Sequence, residues 1–224
     1  MILKKSKLPD KDLFQYLHSN AEKYSRLTDY SFLFISKSAK KDEYYWHEVV
    51  FPPYNFMHLT GIKSPTNTAM EFYDKCLNCH EDLTIKDCTP AYNHTRKDIA
   101  EKNTVLCELL NLKNVKYFSV GEKDKINQYV DFTFAYGQDA IIGFRRDKDM
   151  RYRESFPVTC APQNIRNYCT KVYKISFLLR KTHDQEKYSE LIVSCKKGLL
   201  FELMETESFP SELRQLIQLE SKES

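Results

Sequence analysis

A strand-like run that ends at two consecutive prolines constrains the fold of this chain more than any other sequence feature. Residues 44–51 are rich in aromatic and β-branched side chains, which is typical of a β-strand. Pro52 and Pro53 cannot donate ladder hydrogen bonds, so the strand must end there. Capping residues at 64–68 then precede a helical pattern. His58 lies in this transition, where a rigid scaffold often holds a catalytic group, although a satisfied core histidine is the alternative.

Helical and strand-like patterns are segregated along the chain. Apolar residues recur at steps of three and four over 10–28, 68–81 and about 93–111, which predicts three amphipathic helices. Strands are predicted at 30–36, 44–51, 115–120, 129–136, 140–144, 155–159 and 171–180, with a further strand pair within 187–203 and a closing helix at 211–219. We therefore expect an α+β fold with N-terminal helices packed on a mostly antiparallel sheet, in one domain over 1–224.

The strand predicted at 171–180 has a simple alternation of side chains. We expect its apolar members to face the core and its polar members, including two cations, to face the other side. The apolar set is Tyr173, Ile175, Phe177 and Leu179, and the polar set is Lys174, Ser176 and Arg180. The sequence thus predicts a basic sheet face.

Positive charge is concentrated in one part of the chain. Residues 145–183 contain ten Lys and Arg against three Asp and Glu, a local net charge of +7 within a total of +3. The remaining residues therefore carry a net charge of −4. This asymmetry predicts an anionic partner, with a solvated basic sheet edge as the alternative.

Several classes of protein are disfavoured by what the sequence lacks. No apolar run approaches the ~18 residues of a membrane span, and no signal peptide is recognisable, so we expect a cytoplasmic protein without a membrane partner. Seven cysteines at irregular spacing indicate reduced thiols. The five glycines form no phosphate-binding loop, which disfavours nucleotide cofactors.

A cysteine- and histidine-rich segment raises the question of a metal. Cys76, Cys79 and His80 match the CxxCH signature of c-type haem attachment, which normally belongs to exported proteins and is rejected here. Zinc held by Cys76, Cys79, Cys88 and His94 is a stronger alternative. Burial of the same side chains on a helix explains them without a metal, so we expect no cofactor.

A histidine, hydroxyl groups and a basic sheet suit one reaction in particular. In metal-independent RNA cleavage, a general base removes the proton of the ribose 2′-hydroxyl and cations stabilise the phosphorane. An acid then protonates the leaving 5′ oxygen. RNA supplies its own nucleophile, so these residue types suffice.

Four short motifs also carry a resemblance. They are Asn-Phe-Met-His-Leu-Thr-Gly at 55–61, Phe-Tyr-Asp-Lys-Cys at 72–76, Ile-Gly-Phe at 142–144 and Tyr-x-x-Ser at 152–155. With the preceding strand, they resemble the phage-associated nuclease domains of the barnase, EndoU, colicin E5/D and RelE (BECR) superfamily over about 44–195. The resemblance implies metal-independent RNA cleavage in phage-conflict, toxin or mobile-element systems, with RNA as partner and a protein inhibitor or activator as a second partner. The terminal helices would be appendages to this core.

The resemblance also implies a set of site residues. His58 would be the acid/base residue, Thr60 a hydroxyl ligand of the phosphate, and Arg145, Tyr152 and Ser155 would complete the catalytic set. The substrate-binding cations would be Lys63, Arg146, Arg153, Lys174 and Arg180. The alternative function is a catalytically inactive module that binds nucleic acid or protein through the same basic face, with or without the zinc. Catalysis requires the histidine and the 145–155 segment to be neighbours.

Overall fold

The fold is known from a computed structural model, which describes residues 10–38, 43–91, 94–112, 118–122, 130–137, 139–146, 154–167, 169–194 and 199–219. The helices are α1 (Asp10–Thr28), α2 (Phe56–Thr60), α3 (Ala69–Asn78), α4 (Arg96–Leu109), α5 (Leu199–Met204) and α6 (Ser211–Gln215). The strands are β1 (Tyr30–Lys37), β2 (Tyr44–Val50), β3 (Ile62–Lys63), β4 (Thr89–Pro90), β5 (Phe118–Glu122), β6 (Phe132–Tyr136), β7 (Ala140–Arg146), β8 (Ser155–Ala161), β9 (Val172–Thr182) and β10 (Glu190–Ser194).

The main sheet curves until it closes on itself. Its strand order is β1-β2-β8-β7-β6-β5-β9-β10, and β1 also pairs with β9. The described ladders are antiparallel except for the contact between β2 and β8, a parallel pairing of Val49 with Ser155. The arrangement confirms the predicted α+β class with a mostly antiparallel sheet.

A layer of helices covers one face of this sheet. Leu17, Ala21 and Tyr24 follow one another along α1 at helical spacing and are fully buried. They share a core with side chains of α3 and α4 and with an aromatic cluster of the strands, in which the ring centroids of Phe34 and Phe134 are 4.2 Å apart. We call the sheet face that contributes to this core the inner face.

Asn103 on α4 holds the short helix α2 in place. Its side-chain amide donates hydrogen bonds to the carbonyl oxygens of Thr60 (3.2 Å) and Ile99 (2.9 Å). The thiol of Cys160 on β8 donates to the carbonyl oxygen of Leu59 at 3.0 Å. These bonds satisfy buried backbone groups at the end of α2 and fix it between α4 and β8.

A β-bulge overturns the predicted alternation along β9. Ser36 and Ile35 of β1 pair with Ile175 and Phe177, so Ser176 is an extra residue. Ile175 therefore faces the inner core, whereas Phe177 faces a second core on the opposite face. The prediction of one core face and one cationic face was wrong because both faces of this strand are covered.

The C-terminal part of the chain supplies that second cover. A strand pair was predicted within 187–203, but β10 is followed by the helix α5, and 195–198 lie outside the described residues. Leu200 on α5 and Leu213 on α6 pack against Leu33 of β1, and all three are almost fully buried. Apolar side chains project from both faces of β1, so the second face also needs an apolar cover. Helix α5 contributes to this cover, where a strand was expected.

The end of the helix predicted over 68–81 also differs. Helix α3 was expected to extend to residue 81 with His80 on its buried face, but it ends at Asn78. Cys79 leaves helical geometry (φ −139°, ψ 43°), and His80 begins a separate 3-10 turn, where its ring stacks on that of His18 at 4.0 Å. No helix among the described residues has the length and apolar character that a bilayer span requires.

Candidate active site

Three strands bring polar side chains together on the inner face. Ser155 of β8 lies between Val49 of β2 and Arg146 of β7, and these three residues form one row across the sheet. Directly paired residues on neighbouring strands share a face, as do alternate residues on one strand. His47, two residues before Val49, therefore projects from the same face as Arg146 and Ser155.

His47 is the member of this cluster whose pKa is clearly shifted by its surroundings. Its imidazole stacks on the ring of Phe132, with the centroids 4.0 Å apart and the planes at 22°. Burial, followed by the positive charge of Arg146, lowers the pKa of His47 from about 6.5 to about 4. The imidazole is therefore neutral at pH 7, the form in which it can accept a proton.

The two adjacent arginines at the end of β7 face in opposite directions. Arg146 pairs with Ser155 and is exposed on the inner face, and its backbone N–H donates to Asp131 Oδ2 at 2.7 Å. Arg145 pairs with Phe156 and projects from the other face. Arg146, which was expected to bind substrate, therefore lies on the inner face, whereas Arg145, which was expected to act in catalysis, does not.

His58 lies elsewhere. It is exposed on α2, and the carbonyl oxygen of the next residue, Leu59, bonds to Cys160. Cys160 is five residues beyond Ser155 on β8, a separation of about 15 Å along a strand. The structure thus places His58 near the opposite end of β8 from Arg146.

The remaining expected catalytic residues have different surroundings. Thr60 is fully buried, and its hydroxyl donates to the carbonyl oxygen of Met57 at 2.7 Å, which occupies it within α2. Ser155 is on the inner face but only 4% exposed. Lys63 is exposed on β3, whereas Tyr152 and Arg153 lie outside the described residues.

The two cations expected on β9 do not share a face. Lys174 is exposed and projects opposite to Tyr173 and Ile175, which pack on the inner core. Arg180 follows the bulge and projects with Leu178, which packs on the inner core. The prediction that both cations lie on one basic face of the strand was therefore wrong.

Arg180 already has an anionic partner. Its Nε and Nη2 donate to the two carboxylate oxygens of Glu190 at 2.7 and 2.8 Å. Its guanidinium also lies over the ring of Tyr30, 4.2 Å from the centroid. A bidentate ion pair with cation–π support holds β9 to β10, so much of this charge is unavailable to a phosphate.

Comparison with known protein families identifies the family of this chain. A family model described as phage-Barnase-EndoU-ColicinE5/D-RelE like nuclease4 (PBECR4) matches residues 16–197. The chain belongs to the PBECR4 nuclease family. The match includes most of α1, which precedes the expected core of 44–195. No curated protein and no solved structure matches the chain.

Membership of PBECR4 gives the inner-face cluster a chemical context. A nuclease domain acts on nucleic acid, a polyanion. His47 and Arg146 combine a proton acceptor with a cation on a partly open face, and both kinds of group serve phosphodiester cleavage. This pair is therefore the candidate site.

The zinc alternative finds no support in the geometry of the described residues. Among them, no three His, Cys, Asp or Glu side chains are grouped so that they could hold a metal ion. Cys76 and Cys88 are buried, whereas Cys79 is exposed. Burial raises the pKa of the Cys76 thiol far above its ordinary value, with Cys88 and Asp87 adding to the effect, so this side chain is a protonated, buried thiol in the structure.

The sequence contains a signal for His47. The residue lies within the predicted strand 44–51, where alternation alone places it on the same face as Val49. A histidine at a core-facing strand position beside aromatic residues is a candidate for a lowered pKa. The strand pairing decides which cation lies near His47. Only the structure shows that this cation is Arg146.

We expect the pH dependence of the free energy of unfolding to reflect the lowered pKa of His47. The unfolded imidazole binds a proton below about pH 6.5 and the folded one only near pH 4, so acidification through this window favours unfolding. The free energy of unfolding should fall by roughly 2–3 kcal/mol between these limits. Urea unfolding at a series of pH values measures it.

A variant isolates this contribution. The substitution His47→Gln removes the titration and should flatten the curve between pH 6.5 and 4. Carboxyl groups whose pKa values are lowered by hydrogen bonds, such as Asp87 and Glu71, also lose stabilisation at the acid end of this window, but equally in both proteins, so the difference between the two curves reports His47. Identical slopes for the variant and the parent protein in this window would contradict the assignment.

Proposed function

We propose that the chain is a metal-independent endoribonuclease that cleaves RNA by attack of the 2′-hydroxyl, with its active site on the inner face at His47 and Arg146. One observation carries the proposal. In a chain of a nuclease family, a neutral imidazole lies within electrostatic reach of a guanidinium on a partly open sheet face.

The proposed reaction assigns one step to each group. His47 accepts the proton of the 2′-hydroxyl as the 2′ oxygen forms a bond to phosphorus. The bond from phosphorus to the 5′ oxygen then breaks, and that oxygen takes a proton from an acid. Arg146 stabilises the negative charge of the phosphorane. The products are a 2′,3′-cyclic phosphate and a 5′-hydroxyl.

Tyr152 is proposed for the acid. It lies in sequence between Arg146 and Ser155 and belongs to the catalytic set that the resemblance to BECR nucleases implies, and a phenol can donate a proton. His58, which the same resemblance implies as the acid/base residue, is exposed on α2 at the opposite end of β8 from Arg146, so it would define a separate site rather than donate a proton in this one.

The phage association in the family description supports a role in phage conflict, toxin systems or mobile elements. In such systems an active ribonuclease would endanger its own cell. We therefore propose a protein inhibitor or activator as a second partner.

The test is a cleavage assay in EDTA. We expect the purified chain to cut RNA in excess EDTA, to leave the DNA of the same sequence intact, and to leave 2′,3′-cyclic phosphate ends detectable by mass spectrometry. A single 2′-deoxy substitution at a mapped cleavage site is the matched control and should block cleavage there only.

Other outcomes contradict the proposal in distinct ways. Cleavage of DNA, or a requirement for divalent cations, would contradict 2′-hydroxyl attack. Salt-sensitive RNA binding without cleavage would favour the inactive binding module instead.

A further inference from the structure

A pair of stacked tyrosines adjoins the candidate site. The rings of Tyr45 on β2 and Tyr173 on β9 are stacked with their centroids 4.3 Å apart and their planes at 19°. Tyr45 is two residues from His47 on the same strand, so both side chains project from the inner face about 7 Å apart along the backbone. The sheet therefore places an aromatic surface next to the proposed catalytic group.

This end of the inner face is open, unlike the part under the helices. Along β2, Val49 is 0% exposed, whereas His47 and Tyr45 are both partly exposed. Tyr173 is also partly exposed at the edge of the inner core. The aromatic side chains at this open end of the inner face can thus contact a ligand without displacing a helix.

Hydrogen bonds orient the Tyr45 ring. Its hydroxyl donates to Glu43 Oε2 at 2.8 Å in an exposed position. Hydrogen bonding with Tyr173, and then with Glu43, raises the pKa of Tyr45 above its ordinary value, so the phenol stays neutral. The ring is held in place and is itself uncharged, whereas the negative charge of this hydrogen-bonded pair lies on Glu43.

We propose that Tyr45, supported by Tyr173, is a stacking subsite for an unpaired base of single-stranded RNA next to the scissile phosphate. The inference rests on the proposed ribonuclease function and adds the class of substrate. An aromatic ring binds the π-face of a base, which is accessible only when the base leaves the duplex stack. Stacking is tolerant of base identity, so this subsite selects single strands rather than a sequence.

A binding experiment tests the subsite separately from catalysis. The probe is a fluorescein-labelled RNA of ten nucleotides with 2′-O-methyl groups throughout, which cannot undergo 2′-hydroxyl attack. Binding is measured by fluorescence anisotropy for the single strand and for its duplex, with the full chain and its Tyr45→Leu and Tyr45→Phe variants. Leu preserves apolar volume without a π-face, whereas Phe preserves the ring and removes the hydroxyl.

We expect Tyr45→Leu to weaken single-strand binding on the order of tenfold, the scale of one base–aromatic stack. Tyr45→Phe should remain within about twofold of the parent protein, and duplex binding should not respond to either change. Circular dichroism of both variants is the control for folding, and we expect the spectra to match that of the parent protein. Tyr45 lies on the partly exposed end of its strand, so neither substitution opens a cavity in the core.

The outcomes separate the two proposals. Equal single-strand affinities for the Leu variant and the parent protein would overturn the subsite, and so would an equal loss in the Leu and Phe variants. If the RNA is never cleaved but binding depends on the ring, the ribonuclease proposal fails while the subsite remains.

Discussion

Replacing His47 with glutamine is expected to reduce RNA cleavage by roughly 10²- to 10⁴-fold, the range that a positioned general base contributes. Glutamine preserves a polar side chain of similar length but cannot accept the 2′-hydroxyl proton at neutral pH. The initial rate of cleavage of a fluorescent RNA measures the effect. Binding of the 2′-O-methyl RNA should change far less than the rate, because the loss occurs in the transition state.

The matched control is the same substitution at His58. The helix that carries His58 contacts β8 near Cys160, at the other end of the strand from Arg146. We therefore expect His58→Gln to cleave within a fewfold of the parent protein. A large loss at His58 with normal activity at His47 would reverse the assignment and move the site to α2.

Replacing Arg146 with alanine is expected to reduce cleavage by roughly 10²- to 10³-fold, the scale of removing one donor that stabilises transition-state charge. The same change removes the positive charge that, after burial, lowers the pKa of His47. We therefore expect the His47 pKa to rise from about 4 while remaining below its ordinary 6.5, because the ring stays buried. An NMR titration of the ring protons measures this shift.

The neighbouring Arg145 provides a stringent control. Arg145→Ala removes an equal charge from an adjacent residue, but the side chain projects from the other face of β7. General electrostatic attraction to RNA should weaken similarly in both variants, whereas the rate of the chemical step should fall only in Arg146→Ala. Equal rate losses would indicate a diffuse basic surface rather than a defined phosphate site.

Local patterns predicted the elements well where one physical signal dominated. Helix α1 has the predicted limits, because its apolar spacing and polar ends agree. Strand β2 ends before Pro52 as the missing N–H donors require. Helix α4 begins after the capping box of Thr95 and Asp98, within the stretch that the periodicity indicated.

Two of the predicted site residues are neighbours in the structure. Arg146 and Ser155 were expected near the substrate, and they pair directly on the inner face. His47 was not among the predicted residues, because His58, a histidine between a strand and a helix, is the more conspicuous local feature. The electrostatic interaction between His47 and Arg146 joins residues 99 positions apart in sequence, and no local pattern contains it.

The sequence alone determined the nuclease family, the helical layer and most strands, because propensity, periodicity and capping act over a few residues. The tertiary structure decided which side chains face one another. The extra residue Ser176 reverses the faces of β9, and the pairing of β7 with β8 turns Arg146, not Arg145, towards His47. A side chain changes face with every single-residue change in register, so a site built across several strands follows from their pairing.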